Sequence, residues 1–154
     1  MVELKNNEII SREIIEHPGG VGILAVDDNN NLIMVRQYRY GAGKALLELP
    51  AGKIDGTEDP KDCAVRELKE ETGYSAENMV HLAEFYPTPA YDNEKIYVYH
   101  ASGLTMGEQD LDDNEFLTLE YVPFDKALEM CMNGEIEDAK TIIGIMLYNQ
   151  NKID

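Results

Sequence analysis

Basic side chains are scarce in this chain. Thirteen lysines and arginines face thirty aspartates and glutamates, for a formal net charge of −17. A surface of that sign repels nucleic acid and anionic membrane, so neither is an expected partner. Cysteine is nearly missing as well. Cys63 and Cys131 stand outside any CxxC or Cys/His cluster. They read as reduced thiols rather than a disulfide framework, which suits a reducing compartment. No apolar run approaches the ~18 residues of a membrane helix, and no basic-then-apolar leader opens the sequence. The histidines, His17, His81 and His100, form no spaced set and read as structural. Internal repeats, low-complexity tracts and linkers are lacking too. The expectation from these absences is a soluble, cytoplasmic protein.

What is present describes one globular unit. The chain has 154 residues, of which 44% are apolar, enough to bury a core without staples. Residues 1–154 are expected to form a single domain. Residues 2–16 are polar and partly alternating, as in an edge strand or hairpin. "VGILAV" (21–26) and "NLIMVRQYRY" (31–40) flank a turn of Asp and Asn and read as a hairpin. "ALLELPAGKI" (45–54) is extended. Asp59-Pro60 opens a helix that Gly73 stops. Strand composition returns over 77–91, 94–104 and 116–124, with an acidic loop, "GEQDLDDNE", at 107–115. Amphipathic helices follow at 125–134 and 138–151. The fold class is therefore mixed α/β (α+β).

The central helix is unusual. Glu67, Glu70 and Glu71 lie three and four residues apart, and so share a face. Like charges at that spacing repel by a few tenths of a kcal/mol per pair. A divalent cation would offset this, because Mg2+ takes oxygen ligands from a few carboxylates and from substrate phosphates. A solvated acidic helix in an acidic protein is the competing reading. Arg66 reaches Glu70 at i, i+4 and can also meet Glu58 in the preceding loop. Ala64, Val65 and Leu68 are the expected buried side.

The spacing is more specific than the helix pattern. Gly52 is followed after five residues by Glu58. Seven residues later come Arg66-Glu67-Leu68, then Glu70-Glu71 and Gly73-Tyr74. This resembles the Nudix box at every defined position, with Tyr74 where an aliphatic residue is more usual. "EHPGGVGILAV" (16–26), "VRQYRYG" (35–41), "ELPAGKID" (48–55), "TPAYDNE" (88–94) and "NGEIEDAKTII" (133–143) resemble the ADP-ribose pyrophosphatase branch of that family. Pro89 follows Gly73 by 16 residues, as in the branch, although Thr88 and Ala90 replace its Ser and Gly.

The resemblance implies a Nudix fold, a mixed β-sheet sandwiched between helices, with an N-terminal strand or hairpin extension. It implies hydrolysis of ADP-ribose to AMP and ribose 5-phosphate. A UDP- or GDP-sugar as substrate, or a nucleotide-binding module without turnover, are the alternatives. Glu67, Glu70, Glu71 and the carbonyl of Ala51 would hold Mg2+, or Mn2+ in its place. Among the catalytic candidates, Glu70 and Glu71 belong to that set, while Glu58 and Arg66 tie loop to helix. The branch takes its general base from a downstream acidic turn, here Glu115, with Asp112 and Asp113 as rivals. Arg36 and Arg39 suit bidentate phosphate contact or stacking. Glu48 and Glu94 are candidates for ribose contact or for shaping the site. Tyr38, Tyr40 and Tyr91 are candidate stacking groups. The branch also implies a homodimer in which residues 1–16 help build the partner's site.

Overall fold

The computed structural model describes residues 1–111, 113 and 115–151. A small hairpin, β1 (Val2–Glu3) with β2 (Ile9–Ile10), stands apart from the main sheet. The main sheet contains β3 (Gly20–Val26), β4 (Asn31–Arg39), β5 (Lys44–Glu48), β7 (Tyr74–Phe85) and β8 (Ile96–Met106), in the order β5-β4-β3-β8-β7. Short β6 (Ala51–Lys53) pairs with the start of β3, and β9 (Leu117–Pro123) pairs with β4. The β3–β8 pair is parallel and the others are antiparallel, so the sheet is mixed.

Local chemistry explains the central elements. Strand β3 is apolar throughout because both its faces are covered. It turns into β4 where Asp27 Oδ1 accepts from the backbone of Asn29 and Asn31, and where Asn30 takes a left-handed φ of 61°. Helix α1 (Pro60–Thr72) begins where the Asp59 side chain accepts from Lys61 N–H, and it ends on Gly73 at φ 77°. Any side chain on Gly73 would also lie 2.9 Å from the Gly107 carbonyl oxygen.

Helices cover both faces. Cys63, Ala64 and Leu68 of α1 pack on Val21, Ile23, Ala25 and Ile33. On the opposite face, α2 (Phe124–Asn133) and α3 (Ala139–Asn151) bury Phe124, Ala127 and Ile145 against Leu24, Leu32, Met34 and Leu49. The helix-sheet-helix sandwich expected from the sequence is what the chain adopts.

Some expectations need correction. Val65 is 46% exposed, and Cys63 takes the buried place beside Ala64. The buried stripe of α1 runs 63, 64, 67, 68, 71 and 72, which is the period of one helix face. Residues 86–91 are not strand. Tyr91 and Asp92 N–H both return to the Thr88 carbonyl in a turn. The N-terminal hairpin is not on a sheet edge, and its segment meets the body through backbone bonds between Ile15 and both Tyr91 and Asn93.

Candidate functional site

The buried stripe of α1 carries two carboxylates into the protein. Glu67 is 8% exposed and Glu71 is 1% exposed. Burying an ionised carboxylate costs several kcal/mol unless it is paired, and these two are only partly paired. Glu71 Oε2 accepts from Ala51 N–H at 2.8 Å, while Oε1 has no hydrogen-bond partner. Burial pushes the Glu71 carboxyl up to about 8, against the Ala51 bond, and the charges of Glu115 and Glu67 add to the rise. Glu67 is raised chiefly by burial also, and Glu115 contributes there too. Gly52 makes room for Glu67, because a Cβ there would sit 1.8 Å from the carboxylate carbon. The loop glycine thus serves as a cradle for a helix carboxylate.

Arg66 organises the rest of this corner. Its guanidinium bonds Glu58 at 2.9 and 3.0 Å, Glu67 at 2.7 Å and Glu70 at 2.8 Å. The Arg66 bonds hold the Glu58 carboxyl down to about 2. Loop 52–59 is thereby fixed to α1. The opposite end of α1 is fixed by the acidic loop: Gly107 N–H donates to Gly73 O, Asp110 N–H to Glu70 O, and the Gln109 amide to Glu71 O. These bonds place the loop's half-buried Glu115 near enough to Glu67 and Glu71 to raise both. Asp113 is exposed, and Asp112 lies outside the described residues.

A cleft of about 360 Å³ opens beside β6. Ala51, Gly52, Lys53, Arg39, Glu94, His17, Asp138 and Lys140 line it, with Val21, Pro87 and Ile96 as its apolar wall. Arg39 bonds Glu48 with two nitrogens at 2.7 and 2.8 Å. Glu48 is 1% exposed and also accepts from Lys140. Burial works to raise the Glu48 carboxyl, but Arg39 and Lys140 outweigh it and hold it below the usual range. Glu48 therefore lies buried beside the cleft, bonded to two of its lining cations. Glu94 lies at the cleft wall with an oxygen 3.3 Å from His17 Nδ1.

Over residues 16–143 the chain matches the family described as NUDIX domain. The chain belongs to the Nudix family. It is similar to the methanol dehydrogenase activator of Bacillus methanolicus, with 42% identity over 94% of this chain and 79% of that protein. The ADP-ribose pyrophosphatase of Bacillus subtilis is 40% identical over the same shares. A GDP-mannose pyrophosphatase of Salmonella typhimurium is 33% identical over 90% of this chain and 78% of its own length. Among solved structures, an ADP compounds hydrolase superposes with a TM-score of 0.81 at 25% identity, covering 96% of this chain and 80% of that one. The protein is a Nudix hydrolase whose box spans residues 52–74.

Several candidates fall outside this Nudix cleft. Arg36 is bound to Glu120 on β9 at 2.5 and 3.2 Å and does not line it. Tyr38 and Tyr40 stack edge-to-face on each other at the exposed end of β4, with centroids 5.1 Å apart. Tyr91 borders a separate, mostly apolar hollow of about 310 Å³ with Ile14, Tyr86 and Pro89. Conversely, Lys140, Asp138 and His17 line the cleft although sequence reasoning gave them no site role. The signal for Lys140 was its place in "NGEIEDAKTII", a stretch with one basic residue in an acidic chain.

The site residues fit a divalent cation. The donors are hard oxygens, and Glu71 Oε1 is a buried lone-pair donor with nothing bound to it. Among the described residues no three acidic, Cys or His side chains form a ready cation cage. The physical reason is Arg66, whose guanidinium gathers Glu67 and Glu70 as a cation would. Mg2+ keeps several waters and needs few protein ligands, so a partial carboxylate set suits it.

Proposed function

We propose that this chain hydrolyses the diphosphate bond of ADP-ribose to AMP and ribose 5-phosphate in a reaction requiring Mg2+ or Mn2+. The observation that carries this reading is the buried Glu67–Glu71 pair, with its unpartnered oxygen, beside a cleft bearing Arg39. The Bacillus subtilis relative supports the choice of ADP-ribose. Bound by Glu67 and Glu71, with Glu70 and the Ala51 carbonyl in support, the cation supplies charge neutralisation at the diphosphate and a more acidic water. The chain's own residues do the remainder. Arg39 donates to a phosphate oxygen through Nη1, which makes no hydrogen bond among the described residues. Glu115 accepts the proton of the attacking water, because Glu67 and Glu70 are engaged by Arg66. Glu58 and Arg66 keep the glycine loop at a fixed distance from α1.

A GDP- or UDP-sugar is the second reading. The Salmonella relative favours it, and so does the cleft lining, which has no Phe, Tyr or Trp ring among the described residues to select one base. A purely binding role sits poorly with a box in which every glutamate is retained. We further propose that the whole chain, 1–154, acts as one cytoplasmic Nudix unit. In this reading it is a homodimer through residues 1–16, where Ile9, Ile14 and Ile15 stand exposed. The substrate is tested by a phosphatase-coupled phosphate-release screen over ADP-ribose, sugar nucleotides, diadenosine polyphosphates and NADH with Mg2+. Release from ADP-ribose well above all others is expected. Selective release from a GDP- or UDP-sugar would replace the first reading with the second.

A further inference from the structure

Four charged groups meet under the cleft, from two adjacent strands and a helix about 90 residues further on. Arg39 ends β4, Glu48 ends β5, and Asp138 and Lys140 open α3. Glu48 gives both oxygens to Arg39, and Oε2 also accepts from Lys140, 92 residues away. Lys140 is 8% exposed, and its ammonium lies 3.1 Å from Asp138 Oδ1. Its stem packs over Gly22 of β3. Asp138 in turn caps α3, accepting from Thr141 N–H at 3.0 Å and from the Thr141 hydroxyl at 2.6 Å. The hydroxyl accepts from Leu49 N–H at 2.9 Å. The start of α3 is thus stitched to the end of β5.

A lysine is costly to place here unless its charge is used. The cap by Asp138 and the Thr141–Leu49 bond already fix α3 to the sheet. What the lysine adds is a second cation on a buried carboxylate. With Arg39 alone, Glu48 would be held only by the guanidinium that it must orient. With Lys140 also on Oε2, the carboxylate has one orientation. The fork of Arg39 then has one orientation as well, since two parallel bonds fix its plane. Nη1 is the guanidinium nitrogen that Glu48 does not engage, and Arg39 lines the cleft.

We infer that Lys140 is a positioning residue for diphosphate binding: through the shared Glu48 carboxylate it aims the Arg39 guanidinium at the substrate. The inference rests on the reading of this cleft as the diphosphate site. Lys140 itself is held by Glu48 and Asp138, and in this inference it acts through Arg39 rather than by touching the ligand.

The test is a binding cycle with α,β-methylene ADP, whose diphosphate bridge resists hydrolysis, measured by calorimetry with Mg2+ on the full chain. Lys140→Met should raise Kd ~10-fold or more, the scale of a lost charge-assisted hydrogen bond. Lys140→Arg should stay within ~3-fold of wild type. Arg39→Lys should also raise Kd, and the double variant should be no worse than Arg39→Lys alone, because coupled groups are not additive. Thr141→Val, which cuts the hydroxyl's bonds to Leu49 N–H and to Asp138 Oδ2 without touching Glu48, should lower the melting temperature and leave Kd alone. Should Lys140→Met fail to fold, Lys140→Leu, which likewise removes the donor to Glu48, takes its place in the cycle. The inference is overturned by an unchanged Kd in the lysine variant, by effects of Lys140 and Arg39 that multiply, by an equal loss in Thr141→Val, or by a wild type that does not bind the analogue. Failure of the ADP-ribose reading would show instead as an inactive wild type in the coupled screen, which this binding cycle does not use.

Discussion

Glu71→Gln separates the two roles proposed for the buried carboxylate. In the cation-free protein, burial holds the Glu71 carboxyl near 8, against 4.5 for the unperturbed group. A group raised in this way stabilises the fold fully below pH 4.5 and loses that contribution as pH rises through 8. The slope is at most ~1.4 kcal/mol per pH unit while the unfolded chain is ionised and the folded chain is not. Between pH 5 and pH 8 the loss is on the order of 3 kcal/mol. Glu67, raised for the same reason, pushes in the same direction. A domain of this size shifts its Tm by about 2–4 °C per kcal/mol. The chelated wild type should therefore melt several degrees lower at pH 8 than at pH 5. The glutamine variant keeps the acceptor for Ala51 N–H but sets an amide where Oε1 had no partner, a cost of about 1–3 kcal/mol that does not depend on pH. Its metal-free Tm at pH 8 should be equal to or slightly above that of wild type, and its pH slope should be much shallower. Millimolar Mg2+ should restore most of the wild-type loss at pH 8 and do little for the variant. Hydrolysis by the variant should fall by ~10³-fold or more, on the order of 4 kcal/mol of transition-state stabilisation. Differential scanning fluorimetry from pH 5 to 8, with chelator and then with Mg2+, measures all but the last. Equal slopes in wild type and variant would refute the argument, since no ionisation would then be suppressed by burial at this position.

Three other outcomes follow from the same geometry. Glu115→Gln should cut kcat by ~10²- to 10⁴-fold with little change in KM, while Asp113→Asn and Asp112→Asn cost much less; a silent Glu115 variant beside a dead aspartate variant would move the base. Removing residues 1–16 should lower activity far more than helix content measured by circular dichroism, and a fully active monomer in light scattering would exclude the proposed dimer. Glu58→Gln should destabilise by about 1–3 kcal/mol at neutral pH and by little near pH 2, because a carboxyl held down to about 2 gives stability that is present above pH 4.5 and lost as pH falls through 2; paired denaturant titrations at the two pH values measure this.

How much of this was legible in the sequence depended on distance along the chain. Helix α1 was readable to the residue because its signals are local: Asp59-Pro60 at one end and a left-handed Gly73 at the other. Its carboxylates were readable as a constellation for the same reason. The burial of Glu67 and Glu71 was not, because nothing in a heptad of charges says which face meets the sheet. Misplacing Val65 in the core was the same error seen from the other side. Turn 86–91 was misread because its composition, Tyr-Pro-Thr-Pro-Ala-Tyr, mixes strand formers with prolines, and the bonds to Thr88 O decide it. Arg36 and Arg39 looked alike in "VRQYR", yet three residues along a strand place them on opposite faces. One meets Glu120 and the other Glu48. The partnership of Glu48 with Lys140 crosses 92 residues and had no local signature at all.

The charges around the cleft also predict how it handles an anion. Arg39 and Lys140 are matched by Glu48 and Asp138, so that group sums to zero. Arg66 faces Glu58, Glu67 and Glu70, which leaves two negative charges, and Glu71 and Glu115 stand close by. Lys53 and Glu94, which also line the cleft, cancel in the same way, so the cleft of a chain with net charge −17 offers a diphosphate no net positive charge from its own side chains. The two charges of the diphosphate diester, approaching uncompensated carboxylates, would be repelled by energies that grow as the site dries. A bound divalent cation reverses that local sign. The expected outcome is that affinity for a non-hydrolysable diphosphate falls at least tenfold in excess chelator, that hydrolysis stops, and that Mg2+ or Mn2+ restores both. Raising the pH in chelator should weaken binding further, as Glu71 ionises through about 8. Calorimetry and the coupled phosphate assay, run side by side across a Mg2+ titration, read the two effects separately. Undiminished binding and full turnover in excess chelator would mean that Arg39 and Lys53 alone hold the diphosphate, and the cation would lose its place in the scheme.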